Sequence, residues 1–365
     1  MTPPTWICLG TGGVGKTTIS AALATALART GHHSLVATID PARRLADALG
    51  LADLSEARAV PSEPRLAALA TDSGKHARSL IDELLARAPM HRDFIQSSPL
   101  VTALCGGFAG MHELVALAEL ARQAPRYEVT VIDAAPSRHG IEALALPRRL
   151  ADVIDGRAIV WLGELARTTL GPQRGLRARL LGGAKHWIVR ALSSSVGARI
   201  IDDALALLAF AADVRPELSQ WIAGAARMLD PASTRVVLVT TARAGALEDL
   251  TRLKAQLADI GHAPALIVVN RVPTRSPRAL AAEPALAEWT TTVHDAATEL
   301  ETARAASATI VARAATWNVP VIEIPVFSAH DPATVVGAVA SVLASSPSLV
   351  GEHRDVPTMS FAAVS

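Results

Sequence analysis

Short apolar runs alternate along this chain with stretches whose apolar positions recur every three or four residues. The runs predict strands at Trp6–Gly10, Ser34–Ile39, Arg65–Ala70, Val129–Asp133, Val236–Thr240, Ala265–Asn270 and Val319–Ile324. Strand and helix in turn, repeated, is the pattern of an α/β fold: a mostly parallel, doubly wound sheet covered on both faces. VTVID, VVLVT and LIVVN are apolar almost throughout, as strands in the middle of such a sheet are. Functional residues are then expected where the strands end.

Two segments interrupt the alternation. Residues 73–127 carry helical spacing in Ala77, Leu80, Ile81, Leu84 and Leu85; residues 140–232 carry it in Leu176–Leu192 and Ile200–Phe210. Both are predicted to pack together as an inserted helical subdomain within a domain of residues 1–345. The remaining stretch, 346–365, mixes Ser, Pro and isolated charges and reads as a loosely ordered tail.

Composition narrows the class. Half of the 365 residues are hydrophobic, yet no stretch of about 18 residues is free of charge, so no transmembrane helix is expected. The amino terminus has no basic region ahead of its apolar run, and a cytoplasmic protein is expected. A net charge of +1 gives no field favouring nucleic acid, and no nucleic-acid partner is expected. The two cysteines, Cys8 and Cys105, make neither a disulfide framework nor a zinc site.

The first strand runs into Gly10-Thr11-Gly12-Gly13-Val14-Gly15-Lys16-Thr17-Thr18, and an amphipathic helix follows. The spacing Gly10-x4-Gly15-Lys16-Thr17 is that of a phosphate-binding loop. Glycines let successive backbone N–H groups turn inward around an anion, and the helix N-terminus adds its positive end. Gly12, Gly13, Val14 and Gly15 belong to that cradle. Lys16 is positioned for the β- and γ-phosphates, and the Thr17 hydroxyl for Mg²⁺. The predicted fold is thus a P-loop NTPase sheet, and the predicted cofactors are ATP and Mg²⁺.

Such a loop needs carboxylates from elsewhere. Asp133 ends VTVID and is placed to hold the metal through water. Asp40 ends the second strand ahead of Pro41, where it either polarises an attacking water, caps the following helix, or does both. Asn270 closes LIVVN, and its amide suits an adenine edge. Pro325 and Val326, after the last strand, suit a wall for the base.

With these residues in place the chain resembles the arsenite-pump/guided-entry ATPases, the ArsA-like branch of the deviant-Walker group. The resemblance rests on GTGGVGKTT, IDPARRLADALG, YEVTVIDAAPSRHGIEAL, LIVVNRV and IPVF, from residue 6 to about residue 344. It implies that Asp40 is the catalytic aspartate and Asp133 the metal-shell aspartate. Thr18 would bind the α-phosphate, and Asn270 the adenine. It also implies a dimer that sandwiches ATP and moves a helical subdomain where clients bind. One phosphate loop makes one half, so a second copy or a related ATPase subunit completes the pair.

Three departures bear on function. The family's second loop lysine is Thr11 here, so an arginine substitutes, a partner supplies the lysine, or hydrolysis is slow and the chain is an ATP-binding scaffold in a heteromeric complex. A lone Cys105 cannot make the thiolate cluster that an arsenite site requires. Only five methionines occur, with Met90, Met111 and Met228 near the insert, and the family's CxxC is missing. Tail-anchored membrane-protein targeting therefore has little support in these residues.

Overall fold

A computed structural model of the chain describes residues 3–39, 43–102, 111–134, 137–156, 198–274, 276, 290–329 and 331–350. The chain divides into two compact units. One comprises Met1–Ala70, Ala124–Ile141 and Pro231–Ser365; the other comprises Thr71–Gln123 and Glu142–Asp230.

The first unit is built on eight strands: β1 (Thr5–Leu9), β2 (Ser34–Thr38), β3 (Arg58–Val60), β4 (Glu63–Ala70), β5 (Val129–Asp133), β6 (Thr234–Thr241), β7 (Pro264–Val272) and β8 (Val321–Pro325). Their order is β3-β4-β2-β5-β1-β6-β7-β8. Every pairing is parallel except β3 with β4. After β5 the chain crosses β1 to begin the other half of the sheet. The end of β1 therefore lies at the switch point, where open α/β sheets hold ligands.

Alternation along each strand sorts side chains between two faces. Trp6, Cys8, Val36, Val131, Val237, Val239 and Val268 share one core with helix α1 (Lys16–Arg29) and the helix Pro332–Ala344. The positions between them, such as Ile7, Leu35, Ile132, Leu238 and Ile267, are equally buried. Helices Ala246–Asp259 and Thr290–Thr316 pack against β6 and β7 respectively.

β3 is absent from the sequence reading. It is three residues long, two of them exposed, and exists by pairing with β4 at the sheet edge. That pairing also extends β4 back to Glu63. The last strand begins at Val321 rather than Val319, and the helix Pro347–Val350 falls within the stretch read as tail. Residues 351–365 lie outside the described residues.

The second unit is helical where described: Ser73–Arg87, Arg92–Ser97, Met111–Gln123, Ala198–Asp213 and Arg215–Met228. Leu84, Leu85, Ile95, Val101, Phe210 and Val214 form its core. His91 Nε2 lies 2.8 Å from Asp213 Oδ2, with the imidazole edge on Phe210. Met228 is buried and Met90 is 74% exposed. The periodic stretch Leu176–Leu192 lies outside the described residues. Among the described residues, no helix is long and apolar enough to cross a membrane.

Candidate nucleotide site

The loop between β1 and α1 is shaped by its glycines. A Cβ at Gly10 would collide with the Val239 carbonyl oxygen, so β6 leaves room for hydrogen alone. Gly13 and Gly15 have φ of 78° and 90°, a left-handed backbone that glycine adopts without a steric cost. Gly12 and Gly13 are exposed, with nothing within 4 Å of where their Cβ atoms would stand. The tip of the cradle is open.

Helix α1 begins directly at this loop with Gly15 as its N-cap. No side chain caps it, and its first turn holds no acidic residue. The helices Arg44–Leu49, Arg215–Met228 and Ala246–Asp259 also lack a side-chain cap but carry an acidic residue in the first turn, and two further helices are capped. Asp72 accepts from Lys75 N at the helix Ser73–Arg87, and Asp331 accepts from Thr334 N at 2.8 Å at the helix Pro332–Ala344. Helix N-termini carry N–H groups without intrahelical partners and a partial positive charge. An uncapped start under a glycine loop fits a phosphate, which supplies the missing acceptors.

Lys16 is 8% exposed, and its ammonium lies 3.2 Å from the carbonyl oxygens of Gly10 and Thr11. The loop's own carbonyls hold this buried charge at its root. Thr17 Oγ1 donates to Asp133 Oδ2 at 2.7 Å, which joins the helix start to the end of β5. Ser20 Oγ stands 3.4 Å from Asp133 Oδ1, and Thr38 Oγ1 3.4 Å from Asp133 Oδ2. Asp133 itself is 3% exposed. A hydroxyl backed by a buried carboxylate is a hard-oxygen set that suits Mg²⁺. Ser20 and Thr38 were not foreseen in this role; Ser20 follows Lys16 by one helical turn, and Thr38 ends the strand beside β5.

Beneath the same shell, burial pushes the Cys8 thiol up to about 12, which leaves it protonated and unreactive at neutral pH. Cys105 lies outside the described residues. So does Asp40, together with Pro41 and Ala42.

Asn270 ends a buried stretch of β7. Its Nδ2 donates to Val14 O at 2.9 Å, and its Oδ1 accepts from the Arg271 N–H at 2.9 Å. A Cβ on Gly15 would overlap that amide nitrogen. The side chain expected at the adenine therefore also braces the phosphate loop from its carbonyl side. Arg271 has φ of 59°, a left-handed backbone that costs a non-glycine residue roughly 1–2 kcal/mol. Pro325 pairs with Val272, and Val326 is 54% exposed beyond it.

Beside Thr11, the residue in place of the family's lysine, Arg243 brings Nη2 to 3.5 Å from the threonine hydroxyl. Asp249 holds that guanidinium at 2.5 Å.

Residues 5–171 match the family model described as Anion-transporting ATPase. The chain is 35% identical over 153 residues to an ATPase ASNA1 homolog of Babesia bovis, covering 41% of this chain and 40% of the relative. It is 27% identical over 274 residues to an Arsenical pump-driving ATPase of Acidiphilium multivorum, covering 74% and 40%. It is 28% identical over 270 residues to an ATPase GET3 of Malassezia globosa, covering 73% and 72%. Against the first two of these, the chain spans less than half the relative's length. The family match begins in the strand that leads into the phosphate loop and runs past Asp133, and with these relatives it supports a likeness to the ArsA-like ATPases.

Proposed function

We propose that this chain is a Mg²⁺-dependent ATPase of the cytoplasm, working as a dimer whose nucleotide state moves its helical unit or a client bound there. The observation that carries the reading is the 2.7 Å link from Thr17 Oγ1 to Asp133 Oδ2 at the foot of an uncapped, glycine-lined helix start. It supports the reading because a hydroxyl of the kind that ligates Mg²⁺ and a buried carboxylate meet beside a glycine-lined helix start.

The roles follow from the chemistry. Backbone N–H groups of Gly12, Gly13, Val14, Gly15 and Lys16 cradle phosphate, and the Lys16 ammonium draws the β- and γ-oxygens inward. Thr17 ligates Mg²⁺, and Asp133 accepts hydrogen bonds from its water shell. When bound, the metal withdraws charge from the phosphate oxygens as the terminal bond breaks. Thr18 binds the α-phosphate. Asn270 offers its amide to the adenine edge while bracing Val14, and Pro325 and Val326 flank the base. Asp40 orients and polarises the attacking water. A single phosphate loop supplies one half of the sandwich, so the partner is a second copy or a related subunit.

Asp40→Asn tests the catalytic assignment. The variant is expected to bind ATP as the parent does and to release phosphate at least about 10²-fold more slowly. Equal turnover by the two proteins in a phosphate-release assay would remove Asp40 from the mechanism.

Thr11 favours a second reading, in which the chain binds ATP but turns over slowly without a catalytic partner. A threonine carries no charge, and a cation reaching transferred phosphate is worth about 10³ or more in rate. Thr11→Lys is then expected to raise the turnover of the isolated protein by a large factor. No change would support a homodimer already competent, with Arg243 beside Thr11 as the resident cation.

A further inference from the structure

The end of β7 departs from regular strand geometry where it meets the phosphate loop. Val269 pairs with Glu323 and Val272 with Pro325, so β7 uses three steps where β8 uses two. The extra residue makes a bulge at Asn270-Arg271. Bulges re-aim side chains and recur beside active sites. Here the bulge coincides with the left-handed backbone of Arg271, a conformation for which glycine or asparagine is the ordinary choice. Strain held at an arginine is a reason to ask what the guanidinium does.

The surroundings narrow the answer. Arg271 is exposed, and its Nη1 stands 3.5 Å from the Gly13 carbonyl oxygen, at the long limit of a hydrogen bond. Asn270 Nδ2 holds the next carbonyl, that of Val14. Both side chains thus grip the carbonyl side of the loop, opposite the N–H side that an anion uses. The strand end paired to the next residue, Val272, is apolar. Val326 donates its backbone N–H to Val272 O at 3.1 Å and leaves its side chain largely exposed, with Pro325 paired to Val272. A planar guanidinium on one side and an apolar wall on the other suit a flat aromatic ring.

We infer that Arg271 is a specificity-determining residue: its guanidinium, pinned over Gly13 by the β7 bulge, forms the wall of the base site opposite Pro325–Val326 and favours a purine. The inference rests on the reading of the loop as a nucleotide site and adds the residue that selects the base. Guanidinium planes stack on purines more fully than on the smaller pyrimidines.

Arg271→Gly separates this role from a structural one, because glycine takes the same backbone without strain. The variant is expected to melt at the same temperature as the parent or higher. Its affinity for Mg·ADP by calorimetry should fall about tenfold, with a smaller loss for Mg·UDP, so that the ADP preference shrinks. Arg271→Lys, which keeps charge and stem but not the plane, should fall between the two and serves alone if the glycine variant does not fold. Unchanged ADP affinity in a folded variant would overturn the inference. Equal losses for ADP and UDP would place the contact on phosphate and overturn it as well. A parent protein that binds neither nucleotide would overturn the reading of the loop itself, and this inference with it.

Discussion

Lys16→Ala is expected to abolish measurable ATP turnover, a loss on the order of 10³ or more, and to weaken Mg·ATP binding about tenfold or more. The ammonium is buried to 8% exposure on the carbonyls of Gly10 and Thr11, at the root of the loop. On the proposed reading it is the loop's own cation and meets the negative charge that grows as the terminal phosphate leaves. Alanine keeps the backbone cradle and the helix start, so residual binding should persist with little change in melting temperature. Phosphate release with calorimetry on the same sample checks both halves. A variant with parental turnover would show that another cation does this work.

The second large effect is expected at Asp133, and two substitutions divide its causes. Asp133→Asn keeps the shape and one acceptor oxygen but removes the charge and turns the other oxygen into a donor. Turnover should fall about 10²-fold or more, and more magnesium should be needed for half-maximal rate. Asp133→Ala should add a folding defect. Thr17 Oγ1 donates to the carboxylate, Ser20 and Thr38 stand within 3.4 Å of it, and the residue is almost fully buried. Removing the acceptor strands chiefly the Thr17 hydroxyl, since Ser20 Oγ keeps the Lys16 carbonyl at 2.9 Å, at roughly 1–3 kcal/mol in urea denaturation. If the asparagine variant kept the parental magnesium dependence, Asp133 would be a structural cap and no part of a metal shell.

Much of this arrangement is legible in one dimension because each part of it is local. VTVID and LIVVN mark buried central strands by composition alone, and GTGGVGKTT names its own turn by where glycine is compulsory. Strand ends then fix Asp133 and Asn270 in the same layer. The parts that escape such reading depend on distant partners. β3 has no apolar pattern and is a strand only through β4. Ser20 and Thr38 converge on Asp133 from 113 and 95 residues away, and nothing in a lone serine or threonine announces that meeting. Asn270 shows how a correct position conceals a second role: an amide suits a base edge, but its spacing from Val14 could not be read before the fold brought them together. The left-handed backbone of Arg271 is likewise a product of the β7–β8 mismatch, not of any local turn motif.

The crowding at Gly10 has a consequence for how the loop tolerates change. The obstacle is the main chain of β6, not the side chain of Val239, so shrinking residue 239 would give a larger residue at position 10 no relief. A second-site suppressor would have to alter the spacing of the two middle strands themselves. The base of the loop thus inherits the stiffness of the sheet, while Gly12 meets no such barrier and Gly13 is restricted by its left-handed backbone alone.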